Sequence, residues 1–297
     1  MDIKSLTYFL TAAREGSITK AANSLNLTQP NLSRQINNLE KEIGKKLFIR
    51  SNYSIKLTSD GVLLKKRAEE IIDMIEKTRM EFQSSDDVIA GDIYIGCAET
   101  YYIKLIADVI KGLRQSYPKI IYHIHSGAYS EITEKLDKGL LDFGILIGDI
   151  DLSKYDYIDI PYKEVYGLLM RKDSHLSKNK FIEKHDLFDI PIMCPKIFFN
   201  NKMQTSKFSE WIGNDFDKLN IILSYNLIYN AALMVEEGIG YALTIDKLVN
   251  TTNTSDLCFI KLNPRLEIEL RVVWKKNQVF SEASKIFLEE LKNKLCQ

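Results

Sequence analysis

Apolar residues recur every three or four positions in three successive segments near the start of the chain. They are Leu6, Phe9, Leu10 and Ala13 in the first segment, Ala21, Ala22 and Leu25 in the second, and Leu32, Ile36, Leu39 and Ile43 in the third. This spacing places each set on one face of a helix. Gly16 and Gly44 mark helix ends, while Ser17 and Thr28 are suitable N-caps. The pattern therefore predicts three short helices.

The third of these helices has two different faces. Its apolar side can join a core, whereas Pro30, Arg34, Asn37 and Lys41 fall on the opposite side. Three helices with a turn at 26–28 predict a helix-turn-helix. In that motif the last helix enters the DNA major groove and the helix before it braces on the backbone. The alternative interpretation is a small helical domain whose polar face is only solvated.

The side chains expected to contact DNA lie on the second helix and on the outward face of the third. They are Thr19, Lys20, Thr28, Gln29, Pro30, Ser33, Arg34 and Asn37. Arginine can fork onto guanine and glutamine onto adenine, whereas Ser, Thr and Lys suit phosphate oxygens. Residues 47–50 and 55–57 can then pair as a hairpin, and this wing would place Arg50 and Lys56 beside phosphates.

A single long helix is predicted from residue 59 to about residue 87. Its apolar positions alternate four and three residues apart, which is the spacing of a coiled-coil seam. They are Leu64, Ala68, Ile71, Ile75 and Phe82, with Thr78 at the remaining position. The seam predicts a dimerisation arm, and packing of the helix on its own domain is the alternative. Residues 84–87 are predicted to form a polar hinge.

From residue 91 onward, strands and helices alternate. Strands are predicted at 92–96, 120–125 and 142–147, with helices at 101–117 and 132–141 between them. This βαβαβ order predicts a parallel sheet with ligands at the carboxyl ends of its strands. A second set comprises strands 164–171, 190–194, 221–224 and 238–243, with helices 206–212 and 227–237. A last strand at 266–274 and a helix at 281–295 are expected to return to the first lobe.

Composition narrows the functional classes. The chain has 297 residues, with 40 basic and 40 acidic side chains. Residues 1–58 hold nine Lys or Arg against four Asp or Glu, and this basic bias favours nucleic acid. No apolar run approaches the ~18 residues that a membrane span needs, and the start does not resemble a signal peptide. A cytoplasmic protein with no membrane partner is therefore expected.

Candidate catalytic and metal chemistry is sparse. Cys97, Cys194, Cys258 and Cys296 form no Cys-x-x-Cys motif, so reduced thiols and no metal site are expected, with redox sensing as the alternative. The sequence has no Gly-x-Ser-x-Gly, Walker loop, His-Glu-x-x-His or glycine-rich dinucleotide turn. We therefore expect no catalytic residues, no cofactor and no enzymatic activity.

A set of residues in the first part of the chain resembles the signature of LysR-type transcriptional regulators. The matching residues are Ala21, Ala22, Leu25, Gln29, Pro30, Leu32, Ser33, Arg34, Gln35, Ile36, Leu39, Glu40, Gly44, Leu47, Phe48, Arg50, Leu57, Thr58 and Gly61. Tyr53 departs from the pattern, because family members commonly carry a basic residue there. Lys56 can partly replace that residue. The resemblance continues through segments 142–145 and 238–243 and covers the whole chain.

The resemblance implies an α/β fold with an N-terminal all-α winged helix-turn-helix. The rest would be an effector domain of two Rossmann-like α/β lobes, similar to periplasmic binding proteins. The implied domains are 1–58 for DNA binding, 59–88 for the linker and dimerisation helix, and 91–297 for effector binding. Lobe I would take about 91–160 and 265–297, and lobe II about 161–264. The strands that cross between the lobes would lie near 160–161 and 263–264.

In proteins of this type a small molecule binds between the lobes, where helix N-termini offer N–H groups to an anion. The implied effector residues follow the strands and are Glu99, Thr100, Ser126, Gly127, Pro195, Asn226 and Thr244. Thr100 could both cap a helix and bind a ligand carboxylate, or it could only cap. Glu99 beside it suggests a ligand that carries an amino group, and a solvent-facing Glu99 is the alternative.

Three functions are compatible with parts of this pattern. A solute receptor would explain only residues 91–297, and an enzyme would need a catalytic set. A sequence-specific DNA-binding transcriptional regulator, controlled by a small molecule, explains every segment. Its expected partners are double-stranded promoter DNA, an effector, and further copies of itself as a homodimer or homotetramer. RNA polymerase is a possible further partner.

Overall fold

The computed structural model divides into two units, Met1–Gln83 and Ser84–Gln297, which are described separately. It describes all residues except 52–53, 84–88, 149, 200–206 and 296–297, and it describes only the backbone of residues 80–83 and 199. The predicted hinge at 84–87, Tyr53, Cys296 and the side chain of Phe82 therefore lie outside the described residues.

The first unit is a winged helix-turn-helix, as the apolar spacing predicts. Its helices α1 (Ile3–Glu15), α2 (Ile18–Ser24) and α3 (Gln29–Ile43) precede the wing strands β1 (Phe48–Arg50) and β2 (Ile55–Leu57), and helix α4 (Ser59–Gln83) follows. The Asp2 carboxylate accepts a hydrogen bond from the Ser5 N–H and caps α1. Gly16 and Gly44 end α1 and α3 in the left-handed conformation.

The core of this unit forms where the apolar faces of the helices meet the wing. Phe9, Leu32, Ile36 and Leu47 are completely buried there. The Phe9 ring packs on Phe48 of the wing, with 5.3 Å between the ring centroids. Because α3 gives its apolar face to this core, its polar face is left on the surface.

Helix α4 begins against the wing and covers one side of the same core. A Cβ at Gly61 would lie 2.1 Å from the Leu47 carbonyl oxygen, so only glycine allows this approach. Further along the helix, Ala68 is completely buried in the core and Leu64 packs against it. These two positions of the predicted coiled-coil seam therefore pack on their own domain. For Ala68 this corrects the assignment to a dimer contact, because a completely buried side chain cannot meet a second copy, whereas Leu64 is only partly buried.

The second unit alternates strands and helices. Its elements are β3 (Ala90–Cys97), α5 (Ile103–Ser116), β4 (Lys119–Ser126), α6 (Tyr129–Asp137), β5 (Phe143–Ile147), β6 (Tyr155–Arg171), β7 (Ile192–Pro195), α7 (Lys207–Ile212), β8 (Ile221–Tyr225), α8 (Ile228–Glu236), β9 (Tyr241–Ile245), β10 (Leu257–Lys261), β11 (Glu267–Lys275) and α9 (Glu282–Leu295). The predicted α/β class is confirmed.

One nine-stranded sheet runs through this unit, in the order β4-β3-β5-β11-β6-β9-β7-β8, with β10 paired to β6. Strands β4, β3 and β5 are parallel, as are β8, β7 and β9. The long strand β6 and the strand β11 lie between these two parallel groups and are antiparallel to each other. The two lobes therefore share the pair β6 and β11.

The two lobes have separate cores. Lobe I is built around Phe143, Ile145 and Phe287, whereas Leu168 and Leu243 are buried in lobe II. Along β6 the core partner changes from lobe I to lobe II between Ile160 and Tyr166, close to the predicted first crossing. Along β11 it changes between Ile268 and Leu270, where the register with β6 shifts.

The second crossing therefore differs from the prediction of 263–264. Leu266 and Ile268 still pack in the core of lobe II, because β11 begins beside the lobe II part of β6. Strand β6 begins at Tyr155, nine residues before its predicted start at Glu164. Strand β10 was not predicted. Helix α6 begins at Tyr129, three residues before the predicted start at Ile132.

Candidate DNA-binding surface and effector site

The outward face of α3 carries the side chains that the sequence analysis assigned to DNA. Thr28, Gln29, Pro30 and Arg34 are exposed, and Ser33 and Asn37 are partly exposed. Thr19 and Lys20 on α2 and Lys56 on the wing are exposed as well. Thr28 occupies the N-cap position but makes no capping hydrogen bond. Its predicted capping role is therefore not realised, and its hydroxyl is not used by α3.

A buried carboxylate joins α3 to the wing. Glu40 accepts hydrogen bonds from the Leu47 N–H at 2.8 Å and the Phe48 N–H at 3.3 Å, and it pairs with Lys46 Nζ at 2.9 Å. Burial opposes ionisation of Glu40, but these three donors hold its pKa below the ordinary value. In the sequence, Glu40 was recognised only as part of the family signature, and its contact with the wing was not predicted. Its structural role is to anchor the first residues of the wing.

Arg50 at the end of β1 lies beside this carboxylate. Its Nη2 is 3.8 Å from Glu40 Oε2 and donates a hydrogen bond to Asn37 Oδ1 at 2.7 Å. The Arg50 side chain is 38% exposed. Arg50 was expected to lie beside a DNA phosphate, and in the structure its partly exposed side chain is bound to a side chain of α3. The wing and α3 thus share one polar network.

The remaining part of the predicted seam on α4 is more open. Ile71 is 38% exposed and Ile75 is half-buried. Val62 and Leu63, which the seam did not include, are 58% and 59% exposed. These are single exposed apolar side chains on a charged helix, and they remain accessible to a partner.

In the second unit, one short segment of lobe I makes several side-chain contacts with lobe II. This segment, the interlobe loop (residues 99–102), follows strand β3 of lobe I. The Glu99 carboxylate accepts a hydrogen bond from the Ile228 N–H at 2.7 Å, at the first residue of α8 in lobe II. The N-cap residue of α8 is Leu227, which has no side chain that could cap. Glu99 therefore caps a helix of the other lobe.

Thr100 makes the second contact of the interlobe loop. It is buried, and its hydroxyl donates to the carboxylate of Glu164, in the part of β6 that lies beside lobe II. The same oxygen accepts a hydrogen bond from the Tyr102 N–H at 3.0 Å. Glu164 is only 2% exposed, and its burial, with a further contribution from Asp246, raises its pKa to about 7. The N-cap residue of α5 is Tyr102, and α5 has no side-chain cap, so Thr100 closes a turn before the helix and binds Glu164.

Two tyrosines complete the interlobe loop. Tyr102 stacks on Tyr162 of the crossing strand, with 4.8 Å between the ring centroids. Lys247 Nζ of lobe II lies 5.0 Å from the centroid of Tyr101 and 5.9 Å from that of Tyr102. Glu164, Lys247, Tyr101 and Tyr102 were not predicted as functional residues from the sequence. Glu164 could have been noticed as a single charged residue before an apolar strand. Its partner Thr100 is 64 residues away, so the contact itself could not be predicted.

The other predicted effector residues fall into two groups. Ser126 pairs with Cys97, and Gly127 donates its N–H to the Cys97 carbonyl, so both lie at the end of β3 in lobe I. In lobe II, Pro195 pairs with Tyr225, and Asn226 follows directly with an exposed side chain. Thr244 is buried within β9 and pairs with Gly167. Only Glu99 and Thr100 of the predicted set are seen to join the lobes.

A cavity of about 360 Å³ lies against the crossing strands. It is lined by Asp159, Ile160, Pro161, Tyr162, Lys163, Glu269, Leu270 and Arg271, and none of the predicted effector residues lines it. Arg271 Nε pairs with Asp159 at 2.8 Å, and Lys163 Nζ lies 3.8 Å from Glu269. The charges that face this cavity therefore already pair with one another.

Two of the cysteines are poorly placed for redox chemistry. Cys97 and Cys194 are buried, and burial raises the pKa of each thiol to about 12, so both stay protonated and unreactive. Within the described part of the chain, no group of three or more His, Cys, Asp or Glu could hold a metal ion. None of the described helices is both long and apolar enough to cross a membrane.

Two family models match the chain and together cover nearly all of it. The model of the bacterial regulatory helix-turn-helix protein, lysR family, matches residues 3–62. The model of the LysR substrate binding domain matches residues 86–296.

Curated relatives match over almost the same length. A probable RuBisCO transcriptional regulator of Cyanophora paradoxa is 26% identical over 293 residues, which cover 97% of this chain and 90% of the relative. The uncharacterized HTH-type transcriptional regulator YwbI of Bacillus subtilis (strain 168) is 28% identical over 298 residues, which cover 99% and 97%.

The fold is found in solved structures as well. Full-length CbnR, crystallised with its target DNA, has a TM-score of 0.75 at 19% identity, covering 99% of this chain and 100% of CbnR. A full-length OxyR variant from Pseudomonas aeruginosa has a TM-score of 0.55, also at 19% identity, covering 99% and 94%. The family models and relatives show that this chain belongs to the LysR family and is a helix-turn-helix transcriptional regulator, not an enzyme.

Proposed function

We propose that this regulator binds promoter DNA through the outward face of α3, and that a small molecule bound between the lobes of the second unit controls this binding. The observation that carries the first part is that Gln29 and Arg34 are exposed and Ser33 is partly exposed on a helix whose other face is buried. In the major groove, Arg34 would donate to guanine and Gln29 would pair with adenine. Thr19, Lys20 and Lys56 would contact phosphates.

A gel-shift experiment with the DNA upstream of the chain's own gene tests this assignment. We expect Arg34→Ala to abolish specific binding while the second unit stays folded, because each good bidentate base contact provides about 1–3 kcal/mol of discrimination. Lys111→Ala, which removes an exposed cation from the second unit, is the matched control and should bind as the wild type does. Retained operator affinity in Arg34→Ala would refute the role of α3.

We further propose that the chain acts as a homodimer or homotetramer. Support comes from the exposed apolar residues of α4, Val62, Leu63 and Ile71, and from Ile121 and Ile124 on the edge strand β4. Dimers of helix-turn-helix proteins bind two half-sites, so an interrupted palindrome is the expected operator. Light scattering of the purified chain would give two or four times 34.2 kDa, and a monomer would contradict the proposal.

For the effector we propose a small zwitterion or polar metabolite with a donor group, bound near Glu99, Thr100, Ser126 and Gly127, with Pro195, Asn226 and Thr244 on the side of lobe II. The support is the acidic Glu99 beside the hydroxyl of Thr100 at the lobe boundary. Because both side chains are bound to lobe II, such a ligand would have to replace these contacts.

Calorimetry of the full chain with a panel of metabolites, compared with Glu99→Gln, tests the effector proposal. Glu99→Gln keeps an acceptor for the Ile228 N–H but removes the charge, so it should weaken binding of ligands that carry an ammonium group. Ligands without that group should bind as before. An unchanged ligand preference in Glu99→Gln would exclude the recognition of an amine by Glu99.

The proposed mechanism is a shift between two arrangements of the lobes. An effector that binds one arrangement more tightly changes its population, and this alters the spacing of the DNA-binding units and the DNA bend. The regulator would act in the cytoplasm, where bacterial promoters are found, and RNA polymerase bound nearby is a possible further partner. Footprinting with and without effector would show a changed pattern of protection.

A further inference from the structure

The recognition helix and the wing are connected by a hydrogen bond between two residues that were both expected to contact DNA. Arg50 Nη2 donates to Asn37 Oδ1 at 2.7 Å, across 13 positions of the chain. Asn37 is partly exposed, two helical turns after Gln29 on the outward face of α3. The contact therefore involves a side chain placed where a base edge would be read.

This contact fixes the orientation of the Asn37 amide. A guanidinium group has only donors, so the atom of Asn37 that faces Arg50 must be the carbonyl oxygen. The amide NH2 group then faces away from Arg50. Asn37 is thereby presented as a hydrogen-bond donor, while Arg50 occupies one of the two lone pairs of its carbonyl oxygen.

Arg50 is itself held in place from the core side. Its Nη2 lies 3.8 Å from Glu40 Oε2, and Glu40 is buried and bound to the N–H groups of Leu47 and Phe48. At this distance the two groups form an ion pair, and the carboxylate end of the pair is fixed by the core of the unit. The three contacting side chains Glu40, Arg50 and Asn37 therefore connect the core of the unit to the outward face of α3.

We propose that Arg50 is a positioning residue that holds the Asn37 amide as a donor, and that Asn37 consequently selects guanine. Guanine presents two acceptors, N7 and O6, in the major groove, which suit an NH2 group. The usual asparagine contact with adenine needs the carbonyl oxygen to accept from N6. Arg50 already occupies one of the two lone pairs of that oxygen, so an adenine amino group would have to share it with the guanidinium. The inference rests on the proposed DNA-binding function and adds a base preference to it.

The experiment is selection from a library of random duplex DNA with the full-length chain. The wild type should show a guanine preference at one position of each half-site, and Asn37→Ala should lose the preference at that position only. Arg50→Lys keeps the positive charge but lacks the planar fork, so it should lower the same preference by about tenfold and leave the other positions unchanged. Lys56→Met is the matched control, and it should weaken binding to all sequences equally.

Other outcomes would overturn the inference. If Arg50→Lys keeps the preference and only lowers affinity for every sequence, Arg50 is a phosphate contact. If the position lost in Asn37→Ala is an adenine, the amide is not held as a donor. If Asn37→Ala changes no position, Asn37 reads no base. A wild type that selects no sequence would instead refute the proposed function, and urea unfolding of each variant shows whether the first unit is still folded.

Discussion

Helix α3 and the interlobe loop differ in what their polar side chains contact. On α3, Gln29 and Arg34 are exposed, while the other face of the same helix is buried in the core. In the interlobe loop, Glu99 and Thr100 are bound to groups that belong to lobe II. The first surface is available to a partner, whereas the second is occupied by the chain itself.

This difference follows from how the two surfaces are built. The face of α3 belongs to one helix at the molecular surface, where water satisfies its polar groups. The contact between Thr100 of the interlobe loop and Glu164 is buried inside a domain, where polar groups must be paired to avoid a desolvation cost. A ligand between the lobes therefore has to offer better contacts than Glu164 and the Ile228 N–H already provide.

The largest effect on stability is expected at Glu164. Burial raises its pKa to about 7 from an unfolded value of 4.5, so between these pH values the folded chain holds a proton that the unfolded chain has released. Stability of the second unit should therefore fall as pH rises through this window and remain lower above it. Glu164→Gln removes this loss and should stabilise the unit at pH 8 by about 2–3 kcal/mol in urea unfolding.

Thr100→Val provides the opposite change at the same contact. The Thr100 hydroxyl favours the ionised form of Glu164, so its loss should raise the pKa of Glu164 further and extend the fall in stability to higher pH. A wild-type second unit with the same stability at pH 5 and pH 8 would show that the Glu164 carboxyl is not held in a buried site.

A smaller effect is expected at Glu99. Glu99→Ala removes the cap of α8 and should cost about 1 kcal/mol in the unfolding of the second unit. Glu99→Gln retains an acceptor oxygen and should cost less than half as much. Equal losses in the two variants would mean that the charge of Glu99, and not its hydrogen bond, stabilises the lobe contact.

The smallest effect on stability is expected at Arg34. Its side chain is exposed on α3, so Arg34→Ala should change the unfolding free energy of the first unit by no more than about 0.5 kcal/mol. The same variant should lose specific DNA binding. A large loss of stability would show that Arg34 supports the fold, and the contrast between the two surfaces would then be wrong.

The features that the sequence predicted well are local. Helical periodicity depends on residues a few positions apart, so the buried face with Leu32 and Ile36 and the exposed face with Arg34 could be assigned directly. The family signature added the second domain and its lobes. Those two sources account for the fold class, the order of the elements and the exposed polar face of α3.

The contacts that the sequence could not predict join distant segments. Thr100 meets Glu164, and Glu99 meets Ile228, across 64 and 129 positions. The pattern of neighbouring residues cannot show which distant residue is the partner, because many polar residues in the chain are equally suitable. The first half of β6 was missed because it is mostly exposed and contains Pro161, so it lacks the apolar alternation of a half-buried strand.

The path of the chain through β6 and β11 has a consequence for synthesis on the ribosome. Lobe II is inserted between these two strands, since the chain leaves lobe I near Ile160 and returns to it at Leu270. The core of lobe I needs Phe287 on α9, which is made last. The order of completion during translation should therefore be the DNA-binding unit, then lobe II, then lobe I. An incomplete chain that stops before α9 would carry a finished DNA-binding unit and an unfinished lobe I.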